Sequence, residues 1–351
     1  MKKLLAMVLA LALVGCMAGA AMADGKVGVA MPTQSLQRWN QDGSNMKAKL
    51  EDAGYEVDLQ YANNEIATQV SQLENMILGG ANVLVVASID GKSLGTVLAD
   101  AKAAGIPVIA YDRLLMETDA VSYYATFDNY MVGQIQGEYL EKQLGLAELT
   151  AENPVNIEFV GGSPDDNNAL YFFQGAYDVI APYIESGVVK VPSGQTEFTQ
   201  IATPAWDSAN SQARMDNLIA AHYSDGAKLD AVLCSNDSTA LGVTNSLINA
   251  GFEEFPLITG QDCDVANTKN IIKGYQSMSV FKDTRVLADN VVSMIEAILK
   301  GEEVPVNDTE TYDNGVFVVP TFLSAPVFAD VGNYKELLID SGYYTEADLA
   351  D

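Results

Sequence analysis

With 351 residues, the chain has room for two domains of ordinary size, each with its own core. Apolar residues make up 48% of it, yet past the N-terminus no apolar run reaches 18 residues, which argues against a membrane-spanning or a disordered chain. Nineteen Lys and Arg against 47 Asp and Glu give a net charge of −28, so the surface repels a phosphate backbone and nucleic-acid binding is disfavoured.

The acidity itself reads as a solubility device rather than as a sign of a cationic ligand. At the N-terminus, Met1-Lys2-Lys3 is a positive start, Leu4 to Val14 an apolar stretch too short for a mature spanning helix, and small residues follow. This is the pattern of an export signal. Two cleavage readings are open. Leu13-Val14-Gly15-Cys16 fits a lipoprotein box with Cys16 lipidated, ending the signal at residue 15; Ala21-Met22-Ala23 before Asp24 fits ordinary cleavage, ending it at 23. Cys234 and Cys263 then remain, either as a disulfide of an oxidising compartment or, the preferred reading, as two buried free thiols.

In chain order, Val27 to Met31 is a first strand, and a loop through Trp39 leads to a helix that Gly54 stops. Val57 to Gln60 is a second strand, followed by Ile66, Val70, Leu73 and Ile77 at helical spacing. Strand Val83 to Ala87, a helix from about Lys92, strand Pro107 to Ala110 and strand Val121 to Phe127 continue the alternation. The pattern indicates βαβ units and a parallel sheet covered by helices. It then begins again at Val155 and runs through strands near Val188, Ala231, Leu257 and Met278. A helix with Leu287, Val291, Met294 and Ile298 on one face follows. The fold class is α/β, two similar Rossmann-like lobes with parallel sheets. Because each half is an element short without the C-terminal pieces, the chain is expected to cross between lobes three times, at a hinge near Asp128, Asp283 and Asn314. The expected lobes are 27–128 plus 283–313 and 129–282 plus 314–351.

Several chemistries lack their residues. There is no G-x-G-x-x-G after the first strand and no G-x-x-x-x-G-K-[ST], so the usual phosphate cradles are missing. His222 is the single histidine, and with two separated cysteines it makes a zinc site improbable. The acidic loop Ser163 to Asn168 lacks the glycine and final glutamate of an EF-hand. No cofactor is expected.

What the sequence does supply is polar and aromatic residues at strand ends. The buried run Pro107 to Ala110 ends in Asp112-Arg113, which either brace the loop as an ion pair or face a cleft beyond the strand ends. Arg38-Trp39, Asn167-Asn168, Trp206, Asn236-Asp237, Asp262 and Lys282 occupy similar positions. Carboxylates and amide oxygens accept from sugar hydroxyls, cations and amides donate to them, and an indole stacks on the apolar face of a pyranose. Each residue has a plainer alternative: Asp207 and Asn236 or Asp237 as helix caps, either tryptophan as core, Asp128 and Asn129 as part of the crossing.

The segments RWNQDG, QVSQLENMI, VLVVASIDG, IPVIAYDRL, SYYATFDN, FVGGSPDDNNA, the SND and GQD loops and FKDTRVLA, in that order, resemble the xylose-binding and multiple-monosaccharide-binding group of type I periplasmic proteins of ABC transporters. The resemblance implies two lobes that close on a monosaccharide (xylose, glucose, galactose or arabinose type) and deliver it to a membrane permease. It implies ligand roles for Arg38, Trp39, Asp112, Arg113, one of Asn167 and Asn168, Trp206, Asn236, Asp262 and Lys282, with Asp112 and Arg113 paired to each other. Position 236 varies within the group, which leaves the sugar open. Expected partners are the sugar, the permease and, compatibly, a chemoreceptor; the chain is expected to be a monomer. The rival reading is an exported sugar-modifying enzyme using the same carboxylates.

Overall fold

The computed structural model describes residues 25–350, so the expected export segment and Cys16 lie outside the described residues. The chain alternates from its start: β1 (Lys26–Met31), α1 (Gln37–Asp52), β2 (Glu56–Tyr61), α2 (Ile66–Leu78), β3 (Val83–Val86), α3 (Gly95–Ala103), β4 (Val108–Tyr111) and β5 (Tyr123–Phe127). It then repeats: α4 (Asn129–Leu144), β6 (Val155–Val160), α5 (Asn167–Glu185), β7 (Val189–Lys190), α6 (Ser208–His222), β8 (Ala231–Cys234), α7 (Asp237–Asn249), β9 (Leu257–Ile258), α8 (Val265–Lys273) and β10 (Met278–Phe281). The chain finishes with α9 (Thr284–Lys300), β11 (Thr321–Ser324), β12 (Val327–Asp330) and a last turn of helix at Lys335–Asp340.

The first lobe is built on a parallel sheet in the order β11-β5-β4-β3-β1-β2. β3 and β4 are buried along their whole length because helices cover both faces, which is why they read as unbroken apolar runs. The strand period assigns neighbours to opposite faces. Val27, Val29 and Met31 pack with Met46 and Leu50 of α1 and with Leu287, Val291 and Met294 of α9. Ala30, Leu84 and Val86 pack with Leu73 and Met76 of α2 and Val97 and Leu98 of α3. Each such fully buried Val, Leu or Met side chain contributes about 1.5–3 kcal/mol. β2, at the edge, is partly exposed throughout.

The second lobe repeats the plan with β7-β6-β8-β9 parallel, β10 joined to it through a Gln261–Val280 bridge, and β12 antiparallel on β10. Ile157, Phe159 and Leu233 face α4 and α5 through Leu140, Ala176 and Ile180, while Val160 and Val232 face α6 and α7 through Met215, Leu218 and Val243. α4 and α5 touch backbone to backbone at Gly133, where a Cβ would come within 2.1 Å of the Phe172 carbonyl oxygen.

The chain passes between the sheets after β5, after β10 and after β11. The first two passages end in helix caps: Asp128 accepts from the Met131 N–H at 2.9 Å and Asp283 from the Arg285 N–H at 3.0 Å. The third is a correction to the sequence reading, which gave everything from 314 onward to the second lobe. β11 pairs in parallel with β5, Ser324 opposite Phe127, so the last passage lies between Ser324 and Val327. Asn314 is buried in the first lobe, where its amide donates to the Leu115 and Thr118 carbonyls. The physical reason is that β5 would otherwise be an open edge, and β11 covers it. The three passages lie side by side, since Ser324 pairs with Phe127 and Val327 with Phe281.

Candidate functional site

The carboxyl ends of the two sheets face one another across these passages, where parallel sheets place ligands. Arg38 and Trp39 lie on the first turn of α1 rather than on the loop before it. One turn on, fully buried Asp42 accepts from Arg38 Nε at 2.9 Å, and the Tyr111 hydroxyl bonds its other oxygen. That anchor aims the rest of the guanidinium outward: Nη2 lies 2.5 Å from Asp112 Oδ2 and Nη1 3.3 Å from Asp262 Oδ1 in the second lobe. Burial works against the charge on Arg38, but Asp112, Asp42 and Asp262 outweigh it and raise its pKa further above the ordinary arginine value.

Asp112 follows β4 with φ of 59°, a left-handed backbone uncommon outside glycine. Three donors hold its carbonyl there: the Tyr124 hydroxyl at 2.5 Å, the Thr126 hydroxyl at 3.0 Å and the Asn168 amide at 2.6 Å. Burial opposes its charge, yet Arg38, Lys282 and Arg113 together keep its carboxyl below the ordinary range.

The expected Asp112–Arg113 pair does not form. The left-handed turn sends the two side chains to different partners. Asp112 takes Arg38, while Arg113 Nη1 donates to the Ser88 carbonyl at 2.9 Å and its Nε lies 3.0 Å from Asp166 Oδ2. Both guanidinium groups lie over the Trp39 ring, Arg38 at 5.1 Å and Arg113 at 5.0 Å, so this indole serves as their platform.

In the second lobe, Ala205 and Trp206 are also left-handed, with φ of 56° and 57°. The Trp206 ring lies against Gly162, where a Cβ would fall 1.9 Å from a ring carbon, and its Nε1 donates to Asp166 Oδ2 at 3.2 Å. Asn236 caps α7, its Oδ1 accepting from the Thr239 N–H at 3.0 Å, and still lines the cavity; the capping and cleft readings hold together. Asp262 has φ of 95°. Lys282, just past β10 and 2% exposed, sits 3.0 Å from Asp262 and 3.9 Å from Asp112, with the Phe127 and Phe172 rings at 5.9 and 5.5 Å. Non-glycine strain of this kind, found at Asp112, Trp206 and Asp262 together, costs about 1–3 kcal/mol per residue and gathers at functional sites.

One cavity is therefore lined by Arg38, Trp39, Asp112, Arg113, Trp206, Asn236, Asp262 and Lys282, all expected from the sequence. Neither Asn167 nor Asn168 reaches it. Asn167 is half-exposed on the first turn of α5, and Asn168 stands behind the wall, holding the Asp112 carbonyl. The DDNN segment contributes Asp166 instead. Burial keeps the Asp166 carboxyl above the ordinary range, with Arg113 pulling the other way.

Leu36, Phe172, Ser238, Gln261 and Asp264 complete the lining and were not singled out from the sequence. Phe172 has the spacing of a core residue, and Asp264 looks like a helix cap. Cys234 and Cys263 are both buried free thiols. No group of His, Cys, Asp and Glu able to hold a metal occurs among the described residues. Acceptors and donors in alternation around two indoles and a phenyl ring suit a small neutral ligand with several hydroxyls.

The model of a family described as a periplasmic binding protein domain matches residues 27–303. The multiple sugar-binding periplasmic protein SbpA of Azospirillum brasilense is 49% identical over 325 residues, covering 92% of this chain and 90% of its own. The multiple sugar-binding periplasmic receptor ChvE of Rhizobium radiobacter is 48% identical over 324 residues, 91% of each chain. Among solved structures, an ABC transporter solute-binding protein from Clostridium phytofermentans with bound β-D-glucose superposes with a TM-score of 0.90 at 63% identity, covering 93% of this chain and all of its own.

Proposed function

Because this chain belongs to the family of periplasmic binding proteins, we propose that it captures a monosaccharide in the cleft between its lobes and delivers it, unaltered, to an ABC sugar permease. The observation that carries the reading is the charge lattice. Arg38, Lys282, Asp112 and Asp262 come from both lobes and meet within hydrogen-bonding or near-bonding distance, so hydroxyls placed among them find donors and acceptors on both sides. An aldohexose of the glucose type is the preferred ligand, supported by the glucose held in the 63% identical structure. Xylose, galactose and arabinose remain in the panel to be tested.

The mechanism is closure. The three adjacent passages form a hinge, and a sugar bound to one lobe favours the closed state through contacts made only by the other, since differential affinity alone shifts such an equilibrium. Closing the site removes water from the charged groups, so a missing or inverted hydroxyl leaves one of them unpaired and is strongly rejected. No chemical step is needed. The protein acts outside the cytoplasm as a monomer, either freed by cleavage after Ala23 or anchored through Cys16, and is compatible with presentation of its closed form to a chemoreceptor.

A thermal-shift panel over glucose, galactose, xylose, arabinose and ribose tests this. A ligand at 100 times its Kd that binds only the folded state adds about 2.7 kcal/mol of stability. Glucose is expected to raise Tm, and chromatography after long incubation to return it unchanged. No shift with any sugar would end the proposal, and a converted product would favour the enzyme reading.

A further inference from the structure

The charges of the cleft do not pair off. Arg38, Arg113 and Lys282 face four carboxylates, Asp112, Asp166, Asp262 and Asp264. Three of these touch a cation: Asp112 meets Arg38 at 2.5 Å, Asp166 meets Arg113 at 3.0 Å and Asp262 meets Lys282 at 3.0 Å. Asp264 makes no ion pair among the described residues, and its Oδ1 is buried without a hydrogen-bond partner. An unpaired buried acceptor of this kind calls for an explanation.

The plain explanation fails on geometry. Asp264 is the N-cap residue of α8, but its side chain caps nothing, whereas Asp128, Asp166, Asp207, Asn236 and Asp283 at the same position of other helices all accept from a backbone N–H. The turn before it is strained, with φ of 95° at Asp262 and 53° at Cys263. Ser279 Oγ holds the Cys263 N–H at 3.0 Å and Asp237 Oδ2 holds the Asp264 N–H at 2.8 Å. The fold thus constrains the backbone on both sides of a carboxylate that lines the cleft and has no partner within the protein for Oδ1.

We infer that Asp264 is a further direct contact of the ligand, its Oδ1 accepting a hydrogen bond from a sugar hydroxyl. The inference rests on the sugar-binding reading above. It has a consequence that the other contacts lack. Asp264 faces Asp262 on its own turn, Asp237 and Tyr344 behind it, Lys282 on its own lobe and Arg38 across the cleft. Burial, then Asp262, pushes its carboxyl up to about 7, with Arg38 and Lys282 opposing. A hydroxyl donating to Oδ1 favours the ionised form. Sugar binding near neutral pH should therefore expel a proton, and affinity should rise with pH through that range. Burial on closure without such a bond acts the other way: it disfavours the charge and draws a proton in.

Calorimetry of the full chain with D-glucose at pH 6, 7 and 8, in buffers of different ionisation enthalpy, counts that proton. Net release is expected, with affinity several-fold tighter at pH 8 than at pH 6. Asp264→Asn, close to isosteric, should weaken binding roughly tenfold or more and abolish both the release and the pH slope. Net uptake in the wild-type protein, or wild-type affinity in Asp264→Asn, would overturn the contact while leaving sugar binding intact. The wild-type measurement stands even if the variant folds poorly. No binding of any aldose at any pH would remove the sugar reading, and this contact with it.

Discussion

Asp262→Asn separates a ligand-binding carboxylate from one that only braces the cleft. Asparagine keeps the size and tolerates the left-handed φ of 95°, which alanine would strain, but it replaces the charge and one acceptor oxygen. Asp262 Oδ1 lies 3.0 Å from Lys282 Nζ and 3.3 Å from Arg38 Nη1. Both cations retain Asp112, at 3.9 and 2.5 Å, so neither is left bare in the folded protein and Tm should change by only a few degrees. Sugar binding has no such reserve. Losing one partner of a buried, charge-assisted hydrogen bond costs about 2–5 kcal/mol. At about 1.4 kcal/mol per decade this is roughly a 30- to 4,000-fold weaker Kd. Titration calorimetry with D-glucose measures it directly. A Kd within threefold of wild type, with the fold intact by circular dichroism, would refute the assignment of Asp262 to the ligand.

Four further outcomes are expected. Arg113→Lys gives up the Ser88 carbonyl bond, the Asp166 contact or the Trp39 stack, because an ammonium cannot reach all three, and calorimetry should show binding weakened about 10- to 100-fold; unchanged affinity would count against the arginine's role. Gly162→Ala drives a methyl into the Trp206 ring and should cost about 1–3 kcal/mol of stability while shifting indole fluorescence; a neutral result would mean the indole is free to move. Tyr344→Phe removes a hydroxyl that accepts from Gln37 at 2.8 Å and Gln41 at 3.0 Å on α1 and donates to the Cys263 carbonyl at 2.9 Å in the other lobe. Small-angle scattering should then report a larger average size, and the same radius of gyration would sink the idea that this link favours closure. Burial, reinforced by Asp264, raises the Asp237 carboxyl well above its ordinary value. The native state therefore binds more protons than the unfolded one, and stability falls as pH rises from the carboxylate range upward. Melting curves from pH 5 to 8 should slope downward, and Asp237→Asn should flatten them; identical slopes would exclude Asp237 as the source.

The sequence alone determined the parts of this protein that depend on short-range chemistry. Unbroken apolar runs such as VLVV and VIAY marked strands buried on both faces, because covering helices leave no polar side to show. Leu287, Val291 and Met294 marked the buried stripe of α9, and Arg38, Asp112, Trp206, Asp262 and Lys282 could be placed at the cleft because an open α/β sheet exposes its ligand groups at strand ends. Pairing across the lobes was another matter. Arg38 and Asp262 are 224 residues apart, and Asp112 and Arg113 are adjacent, yet the first two meet and the second two part. Adjacency predicts pairing only where the backbone lets both side chains point the same way, and a left-handed turn at Asp112 prevents it. In the same way, Asp264 looks like an ordinary cap in the sequence, and β11 looks like part of the second lobe. Only the folded chain decides them, because a cap, a strand edge or an ion pair is defined by what lies opposite, and that is set by how the two lobes pack rather than by the residues on either side.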